Sequence, residues 1–255
     1  MNVLLFATTL AWVVILIPGQ NEQLQLPKVL FFSDPQRSDN DIIRRAKPGV
    51  PSPAEQHFVE MTKRIFEVTI TQDSAEITRQ KLNRYRAVVF FTAINPPADK
   101  EALVEWVKEG GAFVGIHSTA NTFQNYPPFG EMLGARFDSR PWRSQNKPLV
   151  KARIKVEDTN HPATKHLGDT FEIEDDVYIF KDFDRSKVHL LLRLDPTSLD
   201  MSKVKRKDAD MAIAWTKSFG RGRVFYTALG DAEHVWSDAR YQTHLIEGVK
   251  WTIAK

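Results

Sequence analysis

A histidine at Gly115-Ile116-His117-Ser118-Thr119 directly follows the apolar run 112–116, where the chain must turn from strand to helix. Such a junction displays its side chain at the end of a sheet, as elbow-type nucleophiles are displayed. A histidine there can be a general acid or base, a proton donor or a metal ligand. The same position suits a ring hydrogen-bonded to loop backbone that only orders the turn. Position alone leaves both readings open. Open α/β sheets bind ligands beyond the carboxyl ends of their strands. By that rule Ser33, Asp34, Asn95, Ser118, Thr119, Gly230 and Asp231 join His117 on one edge.

The other chemistry-bearing residues carry weaker signals. Glu172, Glu174, Asp175 and Asp176 are dense enough to read as a solvated turn, with one or two able to face a pocket and hold a cation or sugar hydroxyls. His161-Pro162 reads as a loop-ordering turn. His234 and His244, ten apart, lack the spacing of a helical metal pair, and His244 is expected to pack the last helix against the sheet. No metal ligand set is assigned. Phe123, Tyr126, Trp142 and Trp236 fall outside the regular strands, where flat rings beside polar side chains suit stacking on sugars. Core filling is the alternative for each.

The elements that must position these residues follow from pattern. Runs at 29–32, 68–71, 87–92 and 112–116 are continuously apolar, which predicts strands buried on both faces in a parallel sheet. Ser52-Pro53-Ala54-Glu55 predicts a capped helix start, and 99–108 a helix closed by Gly110-Gly111. After Gly134 the runs 151–156, 171–173, 177–180, 189–194 and 212–215 are strand-like, predicting an antiparallel or mixed extension. Gly220-Arg221-Gly222 turns into a central strand at 223–229, and a helix over 239–253 closes the chain. The loops 33–50 and 195–210 are long, and the basic run 203–207 reads as solvated.

Composition narrows the class. The chain has 255 residues, of which 42% are hydrophobic and 26% charged, an ordinary globular mixture. The net charge of +3 supports no nucleic-acid partner. Cysteine is absent, which excludes disulfides, thiolate metal sites and every cysteine nucleophile. Residues 3–17 carry no charge and precede Pro18-Gly19, so 1–22 is expected to be an export signal or an N-terminal anchor, placing the protein in the periplasm or outside the cell, with one domain over 28–255.

GGAFVGIHSTA (110–120), PFGEMLGA (128–135), HPAT (161–164), GRGRVFYTALG (220–230) and the closing Trp236, His244, Leu245, Gly248 and Trp251 together resemble the ThuA-like, trehalose-utilisation family. The resemblance spans about 28–255. It implies an α/β, flavodoxin-like three-layer sandwich related to class I glutamine amidotransferases, with a mostly parallel central sheet and an antiparallel or mixed C-terminal extension. In those amidotransferases the elbow carries a cysteine; here it is His117, so glutamine hydrolysis through a thioester is excluded. The resemblance implies carbohydrate metabolism alongside enzymes of oxidised (keto) sugars. This chain departs from it at Arg140-Pro141, where relatives have His-Pro, and at Gly230-Asp231, where they have Gly-His.

The resulting expectation is a protein that acts on or binds a sugar by acid–base chemistry at the sheet's carboxyl edge. His117 and Asp231 are the catalytic candidates. Asn95, Ser118, Tyr126, Trp142, Asp175, Asp176 and Trp236 are the substrate-binding ones. A small-molecule carbohydrate is the expected partner, a homo-oligomer is left open, and no cofactor is named. The competing functions are a non-catalytic carbohydrate-binding or assembly protein, and a metal-dependent hydrolase in which His117 and two further ligands converge on one open position.

Overall fold

The computed structural model describes residues 25–34, 41–92, 96, 98–144 and 149–254. The expected export segment and Asn95 lie outside them. The chain runs through β1 (Lys28–Asp34), α1 (Pro53–Thr62), β2 (Glu67–Thr71), α2 (Arg79–Leu82), β3 (Ala87–Thr92), α3 (Lys100–Lys108), β4 (Ala112–Ile116), α4 (Pro127–Leu133) and β5 (Arg136–Ser139). It continues through β6 (Val150–Val156), β7 (Thr170–Asp175), β8 (Ile179–Lys181), β9 (His189–Leu194), β10 (Ala212–Phe219), β11 (Gly222–Thr227), α5 (Glu233–Trp236) and α6 (Ala239–Ile253).

Nine strands form one sheet in the order β2-β1-β3-β4-β11-β10-β9-β6-β7. The first five are mutually parallel, and β10, β9, β6 and β7 extend the sheet by antiparallel pairing. This is an α/β, flavodoxin-like three-layer arrangement. Successive residues of β11 show the layering: Phe225 faces His244 and Gly248 of α6, whereas Tyr226 points the other way, to Trp215 and Phe180. The helices α1, α5 and α6 pack together on one side, and α2, α3 and α4 on the other.

The apolar runs are buried where they have parallel neighbours on both sides, as in β3 and β4, whose residues are all buried. The run at 68–71 does not fit that expectation. As β2 it is the edge of the sheet among the described residues and only half-buried, because no described strand pairs beyond it. The start of α1 has the full capping box: Ser52 accepts from the Glu55 backbone, and Glu55 accepts from the Ser52 N–H at 2.7 Å. Glu55 is wholly buried because Arg45 also meets it with two hydrogen bonds of 2.8 Å. The expected strand at 177–180 is displaced to β8, which among the described residues pairs with β5 alone in a separate two-stranded ladder. That shift leaves Val177 and Tyr178 in a connection at the carboxyl edge.

Candidate functional site

The sheet delivers three segments to one place: the elbow after β4, the end of β7, and the turn after β11. His117 sits at the elbow with φ of 42°, a left-handed conformation that side chains other than glycine rarely adopt. It is held there from several sides. Tyr226 Oη donates to the His117 carbonyl at 2.7 Å. Thr119 and Thr122 donate to the Phe90 and Thr92 carbonyls at 2.7 and 2.9 Å, stitching the turn to β3. The imidazole Nδ1 lies 2.7 Å from the Ala228 carbonyl, which can only accept, so Nδ1 carries a proton. Nε2 is then the nitrogen turned toward Asp231, 3.1 Å from its Oδ1.

Asp231 is set by its neighbours. Gly230 N–H and Ala232 N–H donate to the two oxygens of Asp175 at 2.7 and 3.0 Å, so one buried carboxylate grips the turn on both sides of Asp231. Trp236 Nε1 donates to the Gly230 carbonyl at 3.0 Å. Gly230 has φ of 110°, and a Cβ there would come within 2.4 Å of Tyr241 Oη. Asp176, the next residue along, is buried and accepts from Arg143 and Arg140 at 2.9 and 3.3 Å; Arg143 also lies 3.6 Å from Asp231 Oδ2. The Tyr178 ring tilts over His117, with centroids 4.1 Å apart.

Charge and burial decide the protonation states. Burial alone would strip the proton from His117, but Asp231, then Asp176 and Asp175, outweigh it and push the imidazole up to about 9. Burial opposes ionisation of Asp231, yet His117, Arg143 and Arg140 hold its carboxyl below the usual range. Asp175 is pushed up to about 6 by burial, against the pull of His117 and the two backbone donors. His117 is completely inaccessible, whereas the Asp231 side chain is 13% exposed. Asp231 is therefore the member of the pair that faces outward.

A family model described as ThuA, trehalose utilisation, matches residues 28–252. The chain belongs to the ThuA family. Among solved structures, a ThuA-like protein from Bacteroides uniformis is similar with a TM-score of 0.73 at 23% identity, over 94% of this chain and 96% of that one. A ThuA-like protein from Parabacteroides merdae gives 0.65 at 16% identity, over 90% and 91%. A β-galactosidase from Rahnella gives 0.57 at 13% identity, over 89% of this chain but 31% of that one. At these identities the likeness is one of fold. No curated protein matches the chain.

Both positions at which this ThuA chain departs from the expected family pattern fall in the cluster: Arg140 holds Asp176, and Asp231 pairs with His117. Ser118 lies next to His117, its Oγ buried without a hydrogen-bond partner. Other expected site residues are placed differently. Asp175 is a turn clamp sealed from solvent rather than a surface for sugar. Trp236 is fully buried, stacked on Phe91 at 5.8 Å, so it offers no face to a ring. Trp142 is buried too, and its Nε1 pins the 195–210 loop through the Asp200 carbonyl at 2.9 Å. Tyr126 lies under Lys100 Nζ in a groove beside α3, with Glu101 and Glu105. Phe123 packs edge-on against Phe129. The four rings do not form one stacking surface, because Phe123, Trp142 and Trp236 are drawn into the core and Tyr126 alone stays half-buried in its own groove.

Arg143 and Tyr178 were not singled out by sequence. The charged bracket around Trp142, Arg140-Pro141-Trp142-Arg143, was the available signal for the first. His117, Asp176 and Asp231 can each offer one ligand atom, all within 4.8 Å of one another, the one such group among the described residues. No described helix is long and apolar enough to cross a membrane.

His161 and His244 serve the framework. His161 Nδ1 accepts from Ala163 N–H at 3.2 Å, and His244 Nδ1 donates to the Ala163 carbonyl at 2.8 Å under Phe225. Burial lowers His244 to about 4, against the pull of that carbonyl. Unfolded, it titrates near 6.5, so between those values only the unfolded chain takes the proton. Its stabilising contribution is complete above pH 6.5 and is lost as pH falls toward 4, by about 3 kcal/mol. Denaturant unfolding of wild type and His244→Gln at pH 7 and 4.5 is expected to show a smaller acid loss in the variant. Equal losses would contradict this assignment.

Proposed function

We propose that this ThuA protein acts on a carbohydrate, a sugar or glycoside carrying a keto group, by proton transfer at the His117–Asp231 pair. The observation that carries the reading is the 3.1 Å approach of His117 Nε2 to Asp231 Oδ1 at the carboxyl edge, with Asp231 turned outward. Asp231 is the group that meets substrate. It takes a proton from the carbon beside the carbonyl as the electron pair moves onto the carbonyl oxygen; the proton then returns to the former carbonyl carbon of the enediolate while the hydroxyl proton shifts between its two oxygens, which leaves the carbonyl on the neighbouring carbon and completes an isomerisation. A carboxylate facing two cations, His117 and Arg143, is a weak base, which fits a proton already acidified by a neighbouring carbonyl rather than one from an unoxidised sugar. His117 is a positioning residue: sealed from solvent, it fixes and balances Asp231. Glutaminase chemistry is no part of this reading, since the chain has no cysteine.

A second reading, a ThuA protein that binds sugar without turning it over, is favoured by the complete burial of His117. We place either activity outside the cytoplasm on the strength of the uncharged run 3–17. Incubating the purified protein with oxidised and unoxidised disaccharides, with products followed by NMR, separates the two. Consumption of the oxidised sugar supports the enzyme, and saturable binding without consumption supports the binding protein. Neither binding nor consumption across the panel would overturn both.

A further inference from the structure

We propose that His117, Asp176 and Asp231 form a site for one divalent transition cation of the Zn²⁺ or Mn²⁺ class. Its role in catalysis rests on the sugar reading above; its existence does not.

The three side chains come from three separate segments, yet their candidate ligand atoms lie within 4.8 Å of one another. Metal–ligand bonds of about 2.0–2.2 Å put ligand atoms roughly 3–3.5 Å apart, so side-chain adjustments on the order of 1 Å would close the group on an ion. Convergence of carboxylates alone would be thin support. The independent observation is His117 Nε2, which is buried and pairs with Asp231 by charge but makes no well-aligned hydrogen bond. Asp231 Oδ1 is close, at 3.1 Å, but not along the direction a ring N–H would need. A buried polar atom left in that state costs free energy unless something else meets it.

The surroundings are those of a ligand set. Nδ1 is committed to the Ala228 carbonyl at 2.7 Å, the usual second contact of a metal-binding histidine, which leaves Nε2 as the nitrogen that can give up its proton to an ion. Asp176 gives Oδ2 to Arg143 and Arg140, and Asp231 turns Oδ2 toward Arg143 and Oδ1 toward His117. Outer contacts of this kind orient ligating carboxylates. The cation takes the place of the proton on His117 Nε2, and the two guanidiniums temper its affinity, so binding in the micromolar range is expected rather than tighter. One imidazole with two carboxylates and no thiolate selects a borderline ion over Cu(I), and the imidazole disfavours Ca²⁺ and Mg²⁺. Three protein ligands leave coordination positions open on the side where Asp231 reaches solvent, and there the ion would polarise a sugar oxygen.

The test uses chelator-treated full-length protein, Zn²⁺ and Mn²⁺ separately, calorimetry and metal analysis after dialysis, and no sugar. About one equivalent is expected to bind, with affinity at least 10-fold weaker in His117→Asn and in Asp176→Asn and unchanged in His234→Ala, whose imidazole is exposed and outside the cluster. Loading wild type with Co²⁺ reads the same site without any variant, through a visible spectrum distinct from that of the hydrated ion. No binding at 100 times a micromolar affinity, affinity unaltered in both cluster variants, or a hydrated-ion spectrum would overturn the proposal. Because no sugar is present, failure of the carbohydrate reading leaves this result untouched, and turnover by metal-free protein would refute only the cation's catalytic role.

Discussion

Asp231→Asn is expected to lower turnover of a keto-disaccharide by about 10²–10⁴-fold while leaving sugar affinity within a few-fold. Asparagine keeps the size and one carbonyl-type oxygen of the aspartate but cannot take a proton at neutral pH. The turn itself should survive, because it is held by backbone donors to Asp175 and by the Trp236 indole, not by the Asp231 side chain. His117→Asn should also slow turnover, but through Asp231: the remaining carboxylate loses its main cation, and the acid limb of the pH–rate profile should move upward. Steady-state kinetics on folded protein separate the roles. A raised KM with unchanged kcat in Asp231→Asn would show that Asp231 holds substrate without moving a proton.

The second large effect is on stability. Gly222→Ala, at the first residue of β11, should cost more than about 3 kcal/mol. A Cβ there would lie 1.9 Å from the Val107 carbonyl oxygen and 2.5 Å from that of Gly111. Both are backbone atoms at the end of α3 and the entry to β4, and neither can swing aside as a side chain could. For a domain of this size the loss corresponds to a fall of roughly 6–12 °C in Tm. Gly168→Ala is the control: nothing lies within 4 Å of its Cβ position, so only its φ of 70° opposes alanine, at about 1 kcal/mol. Equal Tm shifts in the two variants would contradict the close-approach argument.

Much of the parallel half of the fold is legible in the sequence. Strands β1, β3, β4 and β11 read as apolar runs because both of their faces are covered, and α1 announces itself through Ser52 and Glu55. The edge strand β2 has the same composition, and composition does not say which strand lacks a neighbour. The strand β5, Arg-Phe-Asp-Ser, carries too few apolar residues for any periodic signal; it exists because β8 comes alongside. At the site, His117 and Asp231 are recoverable from the rule that strand ends carry function. Asp175 was recoverable too, since Phe171, Ile173 and Asp175 alternate inward along β7 while Glu172 and Glu174 point out. Four acids in five positions read as a solvated turn from which one or two could face a pocket; the inward alternation goes further and seals Asp175 under the turn after β11. The aromatic residues mislead for the opposite reason: Trp142 and Trp236 lie between strands and read as exposed, but both are buried and their indole N–H groups bond the carbonyls of Asp200 and Gly230.

Whether sugar chemistry takes place at Asp231 on the carboxyl edge is read out by a crystal structure of the protein soaked with an oxidised disaccharide. An ordered sugar is expected with an oxygen or acidic carbon about 3 Å from the Asp231 carboxylate, while His117 stays behind it. A sugar ordered only in another groove, such as that beside Tyr126, Glu101 and Glu105, with Asp231 untouched, would contradict it.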